Sequence, residues 1–171
     1  MPFVPEDFDP PTELRIRRPA PDGSGPVVAR LVPLGPEHND SDHAAWTSSI
    51  AHIRATPGYP DGRWPPESGM SLDANRSDLE RHAADFAARR GFTYTVLHPE
   101  ADEVIGCLYV YPATGGGDPG EHDADVRSWT RADHADLDAV LHRAVSHWLA
   151  ERWPFRNPEY AARPEYAARP E

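Results

Sequence analysis

Phe92-Thr-Tyr-Thr-Val-Leu-His98, then Pro99-Glu-Ala-Asp102, then Glu103-Val-Ile-Gly-Cys-Leu-Tyr-Val-Tyr111 is the stretch that decides the fold. The first segment alternates large apolar with β-branched residues, the second breaks that pattern, and the third is a nearly continuous apolar run. Two antiparallel strands joined by a turn satisfy this order. Simple alternation puts Val104, Leu108 and Val110 on one face of the second strand and Ile105, Cys107, Tyr109 and Tyr111 on the other. Neither face is polar enough for water, so the spacing predicts a central strand covered on both sides.

Downstream, Asp123-Ala-Asp-Val-Arg-Ser-Trp-Thr-Arg131 reads as a third sheet strand, with Val126, Ser128 and Thr130 on one face and Arg127, Trp129 and Arg131 on the other. Leu137, Leu141, Val145 and Trp148, backed by Ala144 and Leu149, form the apolar stripe of a helix running to about Trp153, and Pro154 ends it. Phe155 to Tyr160 adds a final strand that Pro158 restricts to an edge.

Upstream, Ser77-Asp-Leu-Glu80 has the pattern of a capping box and predicts a helix start. Leu79, Ala83, Phe86 and Arg90 follow at helical spacing, with Gly91 as the left-handed stop and His82 at the apolar edge. Glu37 to Ala55 is helical in tone, with Trp46, Ile50 and Ile53 on one face. Thr56 to Gly69 holds four prolines, three glycines, Tyr59 and Trp64, so it is an irregular segment packed on the core or lying over a pocket. Glu13 to Arg17 and Val27 to Val32 suit a hairpin at the sheet edge. Residues 1–12, with four prolines and three acids, read as an extended or disordered lead-in. The expected organisation is therefore a lead-in over 1–12, one domain over 13–160, and a tail over 161–171.

The 171 residues suit one domain with a real core. All 17 basic residues are Arg against 28 acids, a net charge of −11, which argues against nucleic acid or an anionic membrane as partner and mildly favours cationic ligands. Cys107 is the only cysteine, which excludes an intramolecular disulfide and weakly implies a reducing compartment. The start lacks the pattern of a signal peptide and no run reaches the ~20 apolar residues of a span, so the expected location is cytoplasmic. Nine histidines show no His-x-x-x-His or His-x-Glu spacing on one element, and no metal site is expected. Thr114-Gly-Gly-Gly-Asp-Pro-Gly120 lacks the Lys-Ser/Thr and the helix of a P-loop. The hexapeptide Glu159-Tyr-Ala-Ala-Arg-Pro164 is repeated as Glu165 to Pro170, a local duplication far short of a solenoid.

The motif Val104-Ile-Gly-Cys-Leu-Tyr-Val-Tyr-Pro112, followed by Asp125-Val-Arg-Ser-Trp-Thr-Arg131 and a helix ending in Trp-Pro-Phe, resembles the GNAT-type N-acetyltransferase superfamily over roughly residues 27–160. It is most similar to small actinobacterial GNAT-like proteins with a divergent pyrophosphate loop. The resemblance implies an α+β fold, a mixed and mostly antiparallel central sheet flanked by helices, truncated after the main cofactor helix. It further implies acetyl-CoA as acyl donor, with the pantetheine arm beside Ser128, Trp129 and Thr130 and the pyrophosphate on the loop Arg131, Ala132, His134, Ala135 and Asp136. Glycines and a helix N-terminus serve that purpose in the family. Here Arg131 matches the motif, His134 and Asp136 stand where glycine or alanine is usual, and Asp133 and Asp136 equally suit helix caps.

The resemblance implies an N-acetyltransferase that moves an acetyl group to a primary amine of a small molecule or peptide. Glu80, His82 and Glu103 are the candidate general bases, and no general acid is named. The rival expectation is a non-catalytic GNAT-like binding module that has lost acetyl-CoA, acting as a homodimer through the edge near Phe155 to Tyr160.

Overall fold

A computed structural model describes residues 2–60, 63–113 and 121–163. The Gly-rich stretch 114–120 and the second hexapeptide lie outside them. Strands β1 (Leu14–Arg17) and β2 (Val27–Pro33) precede helices α1 (Asn39–Thr47), α2 (Ile50–Arg54) and α3 (Leu72–Ala87). Strands β3 (Phe92–Leu97), β4 (Val104–Tyr111) and β5 (Ala124–Thr130), helix α4 (Leu137–Arg152) and strand β6 (Pro158–Tyr160) complete the order. Among the described residues these strands form one six-stranded sheet in sequence order. Successive strands are antiparallel except β5 and β6, which run parallel. No helix among the described residues is long and apolar enough to cross a membrane.

The β3–β4 hairpin lies at the centre and is buried on both faces, as its composition predicts. On one side α4 lays Leu141, Val145, Trp148 and Leu149 against Phe92, Tyr94, Val96, Leu108 and Val110. On the other, Trp46, Ile53, Tyr59 and Leu79 cover Leu97, Val104, Cys107 and Trp129. The assignment of Val104 and Ile105 to faces is corrected: Ile105 packs with Leu108 and Val110, and Val104 with Cys107. The cause is a bulge. Val96 opposes Gly106 while Leu97 opposes Val104, so one extra residue on β4 inverts the alternation at its start.

Helix α3 starts five residues before Ser77. Ser71 is its N-cap and accepts from the Ala74 amide at 3.1 Å, whereas the Ser77 hydroxyl donates to Asp73 O at 3.2 Å within the helix. The left-handed residue after the helix is Arg89 (φ 61°), not Gly91. Gly91 is needed for space instead, because a Cβ there would sit 2.3 Å from the Tyr111 ring.

The lead-in belongs to the domain. Val4 is 2% exposed, Phe3 stacks on Phe155 at 5.2 Å, and Phe8 meets Trp153 at 5.1 Å. Arg89 donates to Pro5 O and Phe8 O, and the Tyr94 hydroxyl donates to Pro11 O at 2.6 Å. Where α4 stops, the rings of Phe92, Trp153 and Phe155 leave apolar surface that these residues cover. Residues 159–163 are also built in: Glu159 and Tyr160 lie in β6, and Arg163 is buried.

Removing the cap with Ser71→Ala should cost about 1 kcal/mol, and Ser77→Ala should stay within about 0.5 kcal/mol of wild type, read by urea unfolding.

Candidate functional site

Helices α1 and α3 are joined by a buried polar network. Asn75 Nδ2 donates to Asn39 Oδ1 (2.9 Å) and Asp42 Oδ2 (3.0 Å), while its Oδ1 accepts from the Trp46 indole at 2.9 Å. Asn39 Nδ2 donates onward to Leu72 O at 3.1 Å. The network places Asp42 at a pocket of about 220 Å³ lined also by Tyr59, Trp64, Asp78, His82, Tyr109 and Arg127. Burial pushes the Asp42 carboxyl up to about 6; the Asn75 hydrogen bond and the His43 charge pull it back in part. The irregular segment 56–69 is both packed and pocket-forming. Trp64 lies 6.0 Å from Tyr59, 6.3 Å from Tyr109 and 6.1 Å from Trp129, ring centre to ring centre.

His82 turns Nδ1 away from the pocket, 2.7 Å from the Tyr111 hydroxyl and 3.0 Å from Thr93 Oγ1. Burial, and then the Arg81 guanidinium, lower its pKa, so the imidazole is neutral near pH 7. The Tyr59 hydroxyl is buried and has no hydrogen-bond partner among the described residues. A space of this size, walled by aromatic rings with carboxylates at its edge, suits the ammonium of an alkylamine or a chain terminus.

On the far face of β5 a different arrangement holds. Pairing of β5 with β6 ends at Val126 and Tyr160. Beyond it Ser128 meets a side chain: Arg163 Nη2 donates to Ser128 O (3.1 Å) and lies 3.2 Å from Ser128 Oγ, which is 2.6 Å from the Tyr160 hydroxyl. Arg163, 5% exposed, also binds Asp138 at 2.8 Å and donates to Pro57 O at 3.2 Å.

No family model and no curated protein matches the sequence. Among solved structures, a Vibrio cholerae protein assigned as a ribosomal-protein-serine acetyltransferase is similar with a TM-score of 0.58 at 9% identity, over 82% of this chain and 73% of that one. The chain has the GNAT fold. A ribosomal-protein-S5-alanine acetyltransferase from Vibrio fischeri shares this GNAT fold with a TM-score of 0.53 at 11% identity, over 71% of this chain and 63% of that one. A Salmonella typhimurium acetyltransferase that modifies the N-terminal serine of a 50S ribosomal subunit protein gives 0.52 at 12% identity, over 73% and 65%. The chain thus spans a little under two thirds of the last two.

The residues expected to hold acetyl-CoA are engaged within the protein, so that donor fits them only once these contacts part. The Ser128 carbonyl is engaged by Arg163. Trp129 projects to the opposite face and donates to the Tyr109 hydroxyl at 3.2 Å, and Thr130 is buried. Arg131 is committed to Glu103 (2.7 Å) and, through two nitrogens, to Asp133 (2.6 and 3.0 Å). The Ala132 amide donates to Ser49 Oγ at 2.8 Å, and His134 Nδ1 lies 3.0 Å from Asp133. Ala132–His134 form a single 3-10 turn, with Ala135 closing it before α4. Hydrogen bonds from Arg131 and then His134 hold Asp133 down at about 2, so its carboxylate stays ionised and keeps the Arg131 guanidinium, the expected pyrophosphate ligand, neutralised. Neither aspartate caps α4 through its side chain: Asp133 binds Arg131, and Asp136 sits at the N-cap position 3.9 Å from Arg18.

Of the candidate bases, His82 lines the pocket; Glu103 is tied to Arg131 and Glu80 is exposed on α3. Sequence reasoning missed Asp42, Asn75 and Arg163. The first two left a signal: Asn39, Asp42 and Trp46, and likewise Asn75 and Leu79, share apolar stripes at helical spacing. A polar residue within such a stripe marks a buried network. Among the described residues no group of three or more His, Cys, Asp or Glu side chains is placed to hold a metal ion.

An acid whose pKa rises on folding binds its proton more tightly in the folded chain. The contribution of Asp42 therefore favours folding at low pH and is lost as pH climbs from the ordinary aspartate range through about 6. The loss is on the order of 3 kcal/mol. Asp42→Asn, which keeps an oxygen for Asn75, should raise the urea midpoint near pH 7 and leave it close to wild type near pH 4.

Proposed function

We propose that the chain is an N-acetyltransferase that moves an acetyl group from acetyl-CoA to a primary amine of a small molecule or peptide held in the Asp42–His82 pocket. The observation that carries this reading is the pocket itself: a buried carboxylate and a neutral imidazole between aromatic rings, set against β4 and β5. Asp42 holds the ammonium, Trp64 and Tyr109 flank its alkyl stem, and the net charge of −11 attracts a cation. The solved neighbours described as acetylating protein serine or alanine agree with an amine acceptor. The donor's approach to β5 requires Arg163 to withdraw from Ser128.

The buried Arg163 favours a second reading, a non-catalytic binding module in which that guanidinium has replaced the donor. Strand β6 is one of the two sheet edges among the described residues, β1 being the other, and a homodimer through β6 belongs to this reading.

Calorimetric titration with acetyl-CoA separates the two. On the first reading Arg163→Ala binds at least tenfold more tightly than wild type and acetylates a simple alkylamine faster, circular dichroism showing it folded. Heat from neither protein at millimolar acetyl-CoA overturns the first reading. Light scattering that finds a strict monomer counts against the dimer.

A further inference from the structure

Tyr111 has one hydroxyl proton and two strong neighbours, Asp85 Oδ2 at 3.0 Å and His82 Nδ1 at 2.7 Å. Asp85 also receives Arg90, whose Nε and Nη2 lie 3.2 and 3.1 Å from Oδ1, and its Oδ2 faces Tyr111 as an acceptor. The Tyr111 proton therefore goes to Asp85, and the phenol oxygen faces His82 as an acceptor. Nδ1 must then carry the imidazole proton, shared with the Thr93 hydroxyl at 3.0 Å. In the opposite tautomer Nδ1 could accept from Thr93, but its lone pair would face that of the Tyr111 oxygen at 2.7 Å unless Tyr111 abandoned its charge-assisted hydrogen bond to Asp85. Nε2 is left with its lone pair. Among the described residues it has no hydrogen-bond partner, yet it is not among the fully buried polar atoms, and the ring lines the pocket.

We infer that Asp85, Tyr111 and His82 form a fixed relay that presents His82 Nε2 as the group taking a proton from the ammonium in the pocket. This rests on reading the pocket as an amine site. The proton leaves the ammonium nitrogen for Nε2, giving a neutral amine whose lone pair is exposed and an imidazolium. The new charge is met through Nδ1–H by the Tyr111 oxygen and behind it by Asp85. His82 touches the substrate; Tyr111 and Asp85 are positioning residues.

Gly91 belongs to the same device, since any side chain there would strike the Tyr111 ring. The charges that face His82 are Arg81, Asp78 and Asp85 on α3, Asp42 on α1 and Arg127 on β5, with the phenols of Tyr109 and Tyr111 on β4. Burial and Arg81 favour the neutral ring, and Asp78 and Asp85 oppose them. The balance lowers its pKa, which leaves a base that is unprotonated at neutral pH.

The test is imidazole nitrogen NMR on the full ¹⁵N-labelled chain, with His82→Gln identifying the His82 signals. The wild type should show the Nδ1–H tautomer, and Tyr111→Phe should shift it toward Nε2–H. Adding butylamine should move the wild-type Nε2 signal, and much less so in Asp42→Asn. An Nε2–H tautomer in the wild type, or a His82 signal blind to butylamine, overturns the relay, and neither readout needs acetyl-CoA. If butylamine is acetylated, His82→Gln should lower kcat about 100-fold with KM little changed. Tyr111→Phe should move the acidic limb of the pH profile. Unchanged turnover in His82→Gln overturns the inference while leaving the acetyltransferase reading intact. Absence of turnover in every protein, with the tautomer and the butylamine shift as expected, overturns that reading alone.

Discussion

Asn75 is the residue on which the pocket side of the molecule depends. One amide accepts from Trp46 and donates to Asn39 and Asp42, which ties α1 to α3 beside the apolar cluster of Ala45, Trp46 and Leu79. Buried amides hold their geometry because a lost partner leaves an unsatisfied polar group, at about 1–3 kcal/mol each. Burial between the two helices raises the Asp42 pKa and the Asn75 hydrogen bond moderates the rise, so the register of two helices and the chemistry of the pocket are one arrangement.

The two faces of β5 illustrate how a sheet separates tasks. Arg127 and Trp129 look toward the aromatic pocket, whereas Ser128 looks toward α4 and receives Arg163. A group at Ser128 and a group in the pocket are therefore divided by one strand thickness. The parting of β5 from β6 after Val126 is where the two sides approach. Tyr59 marks that approach: it lines the pocket, and its electrostatic neighbours include Tyr160 and Arg163.

Elements with a strong period were legible in the sequence. Strands β3, β4 and β5 and helix α4 stand where alternation, the apolar stripe and Pro154 place them. What was not legible depends on contacts distant in the chain. The bulge at the start of β4 inserts one residue that composition does not mark. Ser77 has the stronger capping pattern, yet Asn75 anchors to α1 and draws the helix back to Ser71. The lead-in has the composition of a loose segment, but its Phe3, Val4 and Phe8 have rings to cover near Trp153 and Phe155. In the site, His82 was legible as a candidate base; its orientation was not, since Tyr111 lies 29 residues away.

Arg163 laces together three parts of the chain that share no strand pairing: the 56–58 turn through Pro57, β5 through Ser128, and α4 through Asp138. Its departure would leave the Asp138 carboxylate, largely shielded from water, without its partner. Withdrawal of this one guanidinium would therefore release a loop, a strand edge and a helix end together, and amide exchange at those three places should share one opening free energy.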